Sequence, residues 1–177
     1  MLLRKINAVL GLLSTFLILD HAIFNAVWML SKGSVAKSTF MSWVLVGLVI
    51  IHAFISIDLG ISAHMGEEKP KHKFKQYSRM NVSTMIQRIS GVLMIVFTGL
   101  HIAGATGYMQ PPKFVHATLP TLFFGLVLAH VAVSTGKAFI KLGIGNAKIV
   151  RVIDVVIKAV CVATFVADIA GFYLYVV

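Results

Sequence analysis

Five apolar stretches, each about 20 residues or longer, occupy most of this 177-residue chain. A helix needs about 20 predominantly apolar residues to cross the hydrocarbon core of a bilayer. Charged residues make up only 12% of the sequence, against about 25% in typical soluble domains. An ordinary soluble fold is excluded, because a domain of this size leaves about a third of its chain surface in water. We therefore predict an all-α membrane protein, one domain over residues 1–177, with five transmembrane helices forming a bundle at about 6–30, 40–63, 84–105, 114–134 and 149–177.

The basic residues are distributed unevenly between the polar segments that separate these stretches. Two precede the first stretch, five lie in the second connection and four in or beside the fourth, which makes eleven on one side of the membrane. The first and third connections hold two and one, which makes three on the other side. Because cytoplasmic segments carry an excess of Lys and Arg, we predict a cytoplasmic N-terminus and an outer C-terminus. Topology thus explains the net charge of +10, and no nucleic-acid partner is expected.

Four of the seven histidines lie well inside the first four stretches, one in each. At a rise of about 1.5 Å per residue, His21 and His101 lie about 22 and 25 Å from the cytoplasmic start of their helices. His52 and His130 lie about 18 and 24 Å from the outer start of theirs. The first pair therefore shares a level in the outer half of the membrane. The second pair shares a level at or below the midplane, nearer the cytoplasm.

Two imidazoles at one level on neighbouring helices are the arrangement that bis-histidine haem ligation needs. For any single histidine, an interhelical hydrogen bond is the simpler explanation, but ionisable groups at membrane depth are expensive and tend to mark function. Haem also needs space beside the helices, which glycines can provide. For a glycine in a membrane helix, close packing against another helix is the alternative explanation. Six glycines in the stretches offer such space: Gly47, Gly60, Gly91, Gly99, Gly104 and Gly125.

The sequence around each of these histidines has a recognisable pattern. The segments are LDHAIFN around His21, IIHAFISIDLGISAH around His52, MIQRISGVLMIVFTGLH ending at His101, and LAHVAVSTGKAFIK around His130. In order and spacing, over nearly the whole chain, they resemble the five-helix dihaem cytochrome b membrane anchor of succinate:quinone oxidoreductases, the family of succinate dehydrogenases and quinol:fumarate reductases. The most specific part is QRISG, with a histidine 13 residues after Arg88.

The resemblance implies a lower haem b, near the cytoplasm, held by His52 and His130, and an upper haem b held by His21 and His101. It implies two partner subunits on the cytoplasmic face: a flavoprotein that interconverts succinate and fumarate, and an iron–sulfur protein. This chain is then the non-dehydrogenase subunit of the enzyme, embedded in the lipid of a prokaryotic cytoplasmic (inner) membrane. It passes electrons between the iron–sulfur subunit and a membrane quinone, and menaquinone is favoured.

Several polar residues are candidates for binding around the predicted haems. Arg88 and Lys141 lie toward the cytoplasmic ends of their helices and suit the anionic propionates of the lower haem. The alternative is that they are snorkelling side chains at helix ends. Ser90 and Gln87 are candidate hydrogen-bonding neighbours.

Three acidic residues within the stretches are candidates for quinone binding or proton transfer. Asp20 adjoins His21, Asp58 follows His52 by six residues, and Asp168 lies in the outer half of the last stretch. A helix contact is the alternative for Asp58. None of the three has a counterpart in the family that can be assigned, so the sequence leaves the quinone pocket open.

Two other functional classes stay open at this point. One is the cytochrome b anchor of another quinone-linked oxidoreductase, such as a formate dehydrogenase or hydrogenase, where the histidines are usually spaced differently. The other is a haem-free anchor or transporter, whose histidines would form interhelical hydrogen bonds or relay protons. The sequence shows no inverted repeat or broken-helix pattern typical of transporters.

Overall fold

The computed structural model describes residues 2–32, 39–65, 82–109, 113–144 and 146–176, and each of these ranges contains one long helix. The helices are 24 to 30 residues long, enough to cross the hydrocarbon core at a rise of about 1.5 Å per residue. An all-helical fold of five helices agrees with the sequence prediction. In chain order they are α1 (Leu2–Leu30), α2 (Thr39–Met65), α3 (Val82–Ala105), α4 (Lys113–Leu142) and α5 (Ala147–Val176).

In the described part of the chain, four helices are long and apolar enough to cross a membrane: Leu2–Leu30, Thr39–Ile61, Val82–Ala105 and Thr118–Leu142. Large apolar side chains cover their outer faces; Phe16, Phe54 and Val92 are 66%, 70% and 61% exposed. These features indicate a multi-pass membrane protein, whose apolar surface faces lipid. The helix α5 is equally long, but it carries charged residues along its length and its membrane crossing stays a prediction. Two of them, Asp154 and Lys158, form an ion pair with each other.

Most helix ends lie within two residues of the predicted bounds, but two do not. The first helix begins at Leu2, four residues early, and α4 continues to Leu142 where the sequence suggested an end at 134. The hydroxyls of Ser134 and Thr135 donate to the carbonyls of His130 and Val131, one turn earlier. Polar side chains that bond to their own helix in this way do not end it, so hydropathy alone set the predicted end of α4 too early.

The helix α1 packs against α2, α4 and α5, and α4 packs against α1, α3 and α5. By contrast, α2 packs mainly against α1, and α3 mainly against α4. Within the described ranges, no comparable packing joins α2 to α3. The four histidine-bearing helices therefore form an open arc in the order α2, α1, α4, α3, and α5 closes the far side of α1 and α4.

Small side chains allow α1 and α5 to approach closely. A Cβ atom at Gly171 of α5 would lie 3.6 Å from the carbonyl oxygen of Ala26 on α1. Farther along, Val127 and Val131 of α4 form a buried apolar cluster with Cys161 of α5. Cys161 is only 7% exposed and is a free thiol. The interior of the protein thus lies among α1, α4 and α5, and the histidines lie on the other side of α1 and α4.

The predicted orientation can be tested at the two turns that flank α4. We expect Tyr108→Cys to react with a membrane-impermeant maleimide applied from the outer side, because Tyr108 is 94% exposed after the outward-running α3. We expect Ile144→Cys, exposed after α4, to react only from the cytoplasmic side. Both variants are made in a Cys161→Ala background, and sealed vesicles of both orientations are labelled. The background alone should stay unlabelled, and the opposite pattern would overturn the predicted topology.

Candidate functional site

The structure places His21 of α1 beside His101 of α3, as the depths predicted. Their ring centroids are 6.3 Å apart and their planes are nearly perpendicular, at 88°. Ring centroids about 4.5–7 Å apart are in direct contact. The upper pair therefore places two imidazoles from different helices beside each other, where both could reach one bound group.

Both ring nitrogens of His21 have polar neighbours. The Asn25 amide nitrogen lies 2.9 Å from Nε2, and the Ser42 hydroxyl of α2 lies 3.1 Å from Nδ1. Because an amide nitrogen only donates, Nε2 accepts from Asn25, and Nδ1 carries the hydrogen and donates to Ser42. This is the tautomer that leaves the Nε2 lone pair for a metal. Ligation through Nε2 requires the Asn25 amide to turn away.

The His101 ring is stacked on an aromatic side chain of α4. Its centroid lies 5.7 Å from that of Phe123, with 19° between the planes. Phe123 contacts Phe124 at 6.2 Å, and Phe124 contacts Phe165 of α5 at 6.0 Å. This row of rings braces His101 from the side of the bundle interior, which limits the orientations that the imidazole can adopt.

The predicted lower pair, His52 on α2 and His130 on α4, interact electrostatically, and each ring is held by a neighbouring helix. The Nδ1 atom of His52 lies 3.2 Å from the main-chain carbonyl of Asn7 on α1. A carbonyl only accepts, so Nδ1 donates and Nε2 keeps its lone pair. The Asn7 amide in turn donates to the Ser56 hydroxyl of α2 at 3.0 Å. Polar contacts between α1 and α2 thus fix one ring of the lower pair.

The ring of His130 is held from α3. The Ser90 hydroxyl donates to the Ile86 carbonyl at 2.6 Å and lies 3.1 Å from His130 Nδ1. Because the serine hydrogen is used toward Ile86, Ser90 accepts from Nδ1–H of His130. The main-chain carbonyl of Gln87 is a second acceptor near this ring. His130 therefore has the same tautomer as His52, with the lone pair on Nε2.

The glycines that the sequence offered as haem space divide into two groups. A Cβ atom at five of them would meet nothing within 4 Å, so close packing between helices does not account for these residues: Gly47, Gly60, Gly99, Gly104 and Gly125. Gly91 differs, because a Cβ atom there would lie 3.3 Å from the Cε1 atom of His130. Gly11 was not among the glycines that the sequence indicated, but a Cβ atom there would likewise lie close to a histidine ring, 3.0 Å from the Cε1 atom of His52.

Basic residues gather at the end of the bundle nearer the lower pair. Arg88 of α3 and Lys141 in the last turn of α4 are both exposed. Lys137, missed from the sequence, donates from Nζ to the Gln87 side-chain oxygen at 3.1 Å. The sequence could have indicated Lys137, because it follows His130 by seven residues and so lies two turns farther along the same face of α4. Gln87 thus contacts His130 through its backbone and Lys137 through its amide oxygen.

The three acidic candidates lie on different helices. Asp20 of α1 is half-buried, Asp58 of α2 is exposed, and Asp168 of α5 is buried at 6% exposure. Asp168 precedes Gly171 by one turn, on the face of α5 that packs against α1. Their assignment to quinone or proton chemistry stays a prediction.

Among the residues that the structure describes, no group of three or more His, Cys, Asp or Glu side chains is arranged to hold a metal ion. Haem iron takes only two axial protein ligands, so paired histidines are the relevant arrangement for haem. Comparisons with protein-family models, curated proteins and solved structures found no match for this chain. The family that its motifs resemble therefore stays a prediction.

Proposed function

We propose that this chain is the membrane anchor and electron-transfer subunit of a succinate:quinone oxidoreductase. The observation that carries the proposal is the ring contact between His21 and His101, with His52 and His130 near enough to each other to interact electrostatically. The depths and the resemblance each predicted His21 and His101 as neighbours. The pairing of His52 with His130 as ligands, and the ligand role of all four histidines, are part of the proposal.

The residues present fit two b-type haems. The His21 and His101 rings are in contact, and His21, His52 and His130 carry the hydrogen on Nδ1, which places the lone pair on Nε2. Bound haems would supply an electron path across most of the lipid layer. This chain would hold them through the four imidazoles. At the cytoplasmic end, Arg88, Lys137 and Lys141 supply positive charge suited to the lower propionates.

The remaining chemistry of the complex would lie outside this chain. It has a single cysteine, Cys161, and no glycine-rich dinucleotide-binding motif, so it has no cluster ligands or flavin-binding motif of its own. A flavoprotein and an iron–sulfur subunit on the cytoplasmic face would provide both. A quinone, menaquinone by the resemblance, would react within the membrane, where Asp20, Asp58 and Asp168 are the candidates to exchange its protons.

Purification of the native complex tests this assignment directly. We expect the reduced-minus-oxidised spectrum to show b-type haem, and haem extraction to give two haems per chain. Mass identification should find a flavoprotein and an iron–sulfur protein in equal amounts with it, and succinate should reduce the haems. A colourless preparation would favour a haem-free anchor or transporter. Haems with a formate dehydrogenase or hydrogenase as partner would assign the chain to that class instead.

A further inference from the structure

The ring of His52 lies directly against α1 at a glycine. A Cβ atom at Gly11 would lie only 3.0 Å from the Cε1 atom of this ring, which is tighter than most side-chain contacts, so the ring would have to shift by a few tenths of an ångström. The carbonyl that accepts from His52 Nδ1 belongs to Asn7, four residues before Gly11. The imidazole thus occupies the surface that a side chain at position 11 would cover.

The ring of His130 is placed on α3 in the same way. A Cβ atom at Gly91 would lie 3.3 Å from its Cε1 atom, and the Gln87 carbonyl, again four residues earlier, lies near the ring. The Ser90 hydroxyl accepts the hydrogen bond from Nδ1–H. The helices α1 and α3 therefore present the same feature at the same spacing, each to one member of the lower pair.

Helix geometry gives a reason for the spacing of four. A helical side chain points toward the N-terminus and covers the turn before its own Cα. A residue at position i+4 therefore shields the carbonyl of residue i from the outside of the helix. A glycine at i+4 leaves that carbonyl open to a donor from a neighbouring helix. Asn7 with Gly11, and Gln87 with Gly91, meet this condition.

We propose that these two sites, which we call the imidazole cradles (Asn7 and Gly11 on α1; Gln87, Ser90 and Gly91 on α3), are positioning devices for the lower metal ligands. Each cradle fixes its histidine with Nδ1–H bonded to α1 or α3 and with Nε2 open to a ligand. The inference rests on the proposed function for the identity of that ligand, the lower haem iron. The hydrogen bonds also increase the electron donation of the imidazoles, which favours the oxidised iron.

The first test replaces the two glycines in the purified complex. In Gly11→Ala we expect haem to fall from two per chain toward one, with only the upper haem spectrum left, because the methyl group displaces the His52 ring. Gly91→Ala should lose less, since the distance there is longer. Val92→Ala is the control on α3, because that side chain is 61% exposed and lies beside Gly91 in the sequence, and it should keep both haems. The retained upper haem reports that each variant is folded.

A second variant separates positioning from mere packing. Ser90→Ala should keep both haems but raise the midpoint potential of the lower haem alone, because His130 loses an acceptor and donates less electron density. Loss of fold would lower haem content instead, and a packing role would leave the potential unchanged. If Gly11→Ala and Gly91→Ala bind two haems with unaltered potentials, the cradles do not position the ligands.

A third readout does not depend on haem at all. In the full chain prepared without haem, 15N spectra of the imidazoles should show His52 and His130 in the Nδ1–H tautomer, and Gly11→Ala should convert His52 to a mixture. If the native complex contains no haem, the proposed function fails, and these spectra still decide whether the cradles exist. A wild-type mixture of tautomers would overturn the cradles even in a haem-containing protein.

Discussion

Replacing His52 or His130 with alanine is expected to remove one haem of the two and to leave the upper haem in place. An iron held by two imidazoles loses an axial ligand in either variant, and apolar surroundings at this depth offer no substitute. Replacement of His21 or His101 should remove the other haem. Haem extraction measures the change from two per chain to one, and the difference spectrum identifies which haem is left.

Double variants test the pairing itself. His52→Ala/His130→Ala should retain one haem, because both substitutions affect the same site. His52→Ala/His101→Ala should retain none, because the two substitutions affect both sites. His72, predicted to lie in the cytoplasmic connection and outside the described residues, is the control, and His72→Ala should keep two. If the first double variant loses both haems while the second keeps one, the ligands pair differently from the way proposed here.

The sequence predicted the helices well because apolar length is a local property. Five stretches gave five helices, and the errors fell where polar side chains continue a helix, as at Ser134 and Thr135. A hydropathy pattern cannot show that these hydroxyls bond to their own backbone. That His21 lies beside His101 was also predictable, since depth follows from residue count and the direction of each span.

The surroundings of the histidines were only partly predictable. Ser90 was chosen from its motif and does contact His130. Gly11, Asn7 and Ser42 were missed, because their relation to His52 and His21 depends on how helices rotate and slide against one another. The periodicity of apolar residues along one helix does not show which face of the neighbouring helix it contacts.

Gly171→Leu is expected to separate α5 from α1 and to destabilise the protein by about 1–3 kcal/mol. A Cβ atom at this position already comes within 3.5 Å of the Met29 terminal methyl and 3.6 Å of the Ala26 carbonyl. The remaining three carbons of leucine have no room unless the helices move apart. We expect a lower thermal midpoint in detergent, and faster reaction of Cys161 with a maleimide, because that thiol is buried where α5 meets α4.

Val166→Leu is the control for this substitution. Val166 lies on α5, as Gly171 does, and its side chain is 59% exposed. Its thermal midpoint and Cys161 labelling rate should equal those of the wild type. Equal effects of both substitutions would mean that leucine perturbs the chain without regard to the α1–α5 contact.

The interhelical hydrogen bonds have a consequence for biosynthesis. Asn7 bonds to Ser56 and His21 to Ser42, which joins α1 to α2, whereas Ser90 with His130 and Gln87 with Lys137 join α3 to α4. Each bond links a helix to the one translated directly after it. The chain can therefore leave the ribosome and enter lipid as two successive hairpins whose polar groups are already matched. The apolar and small-residue surfaces of α1, α4 and α5 then contribute to their later association.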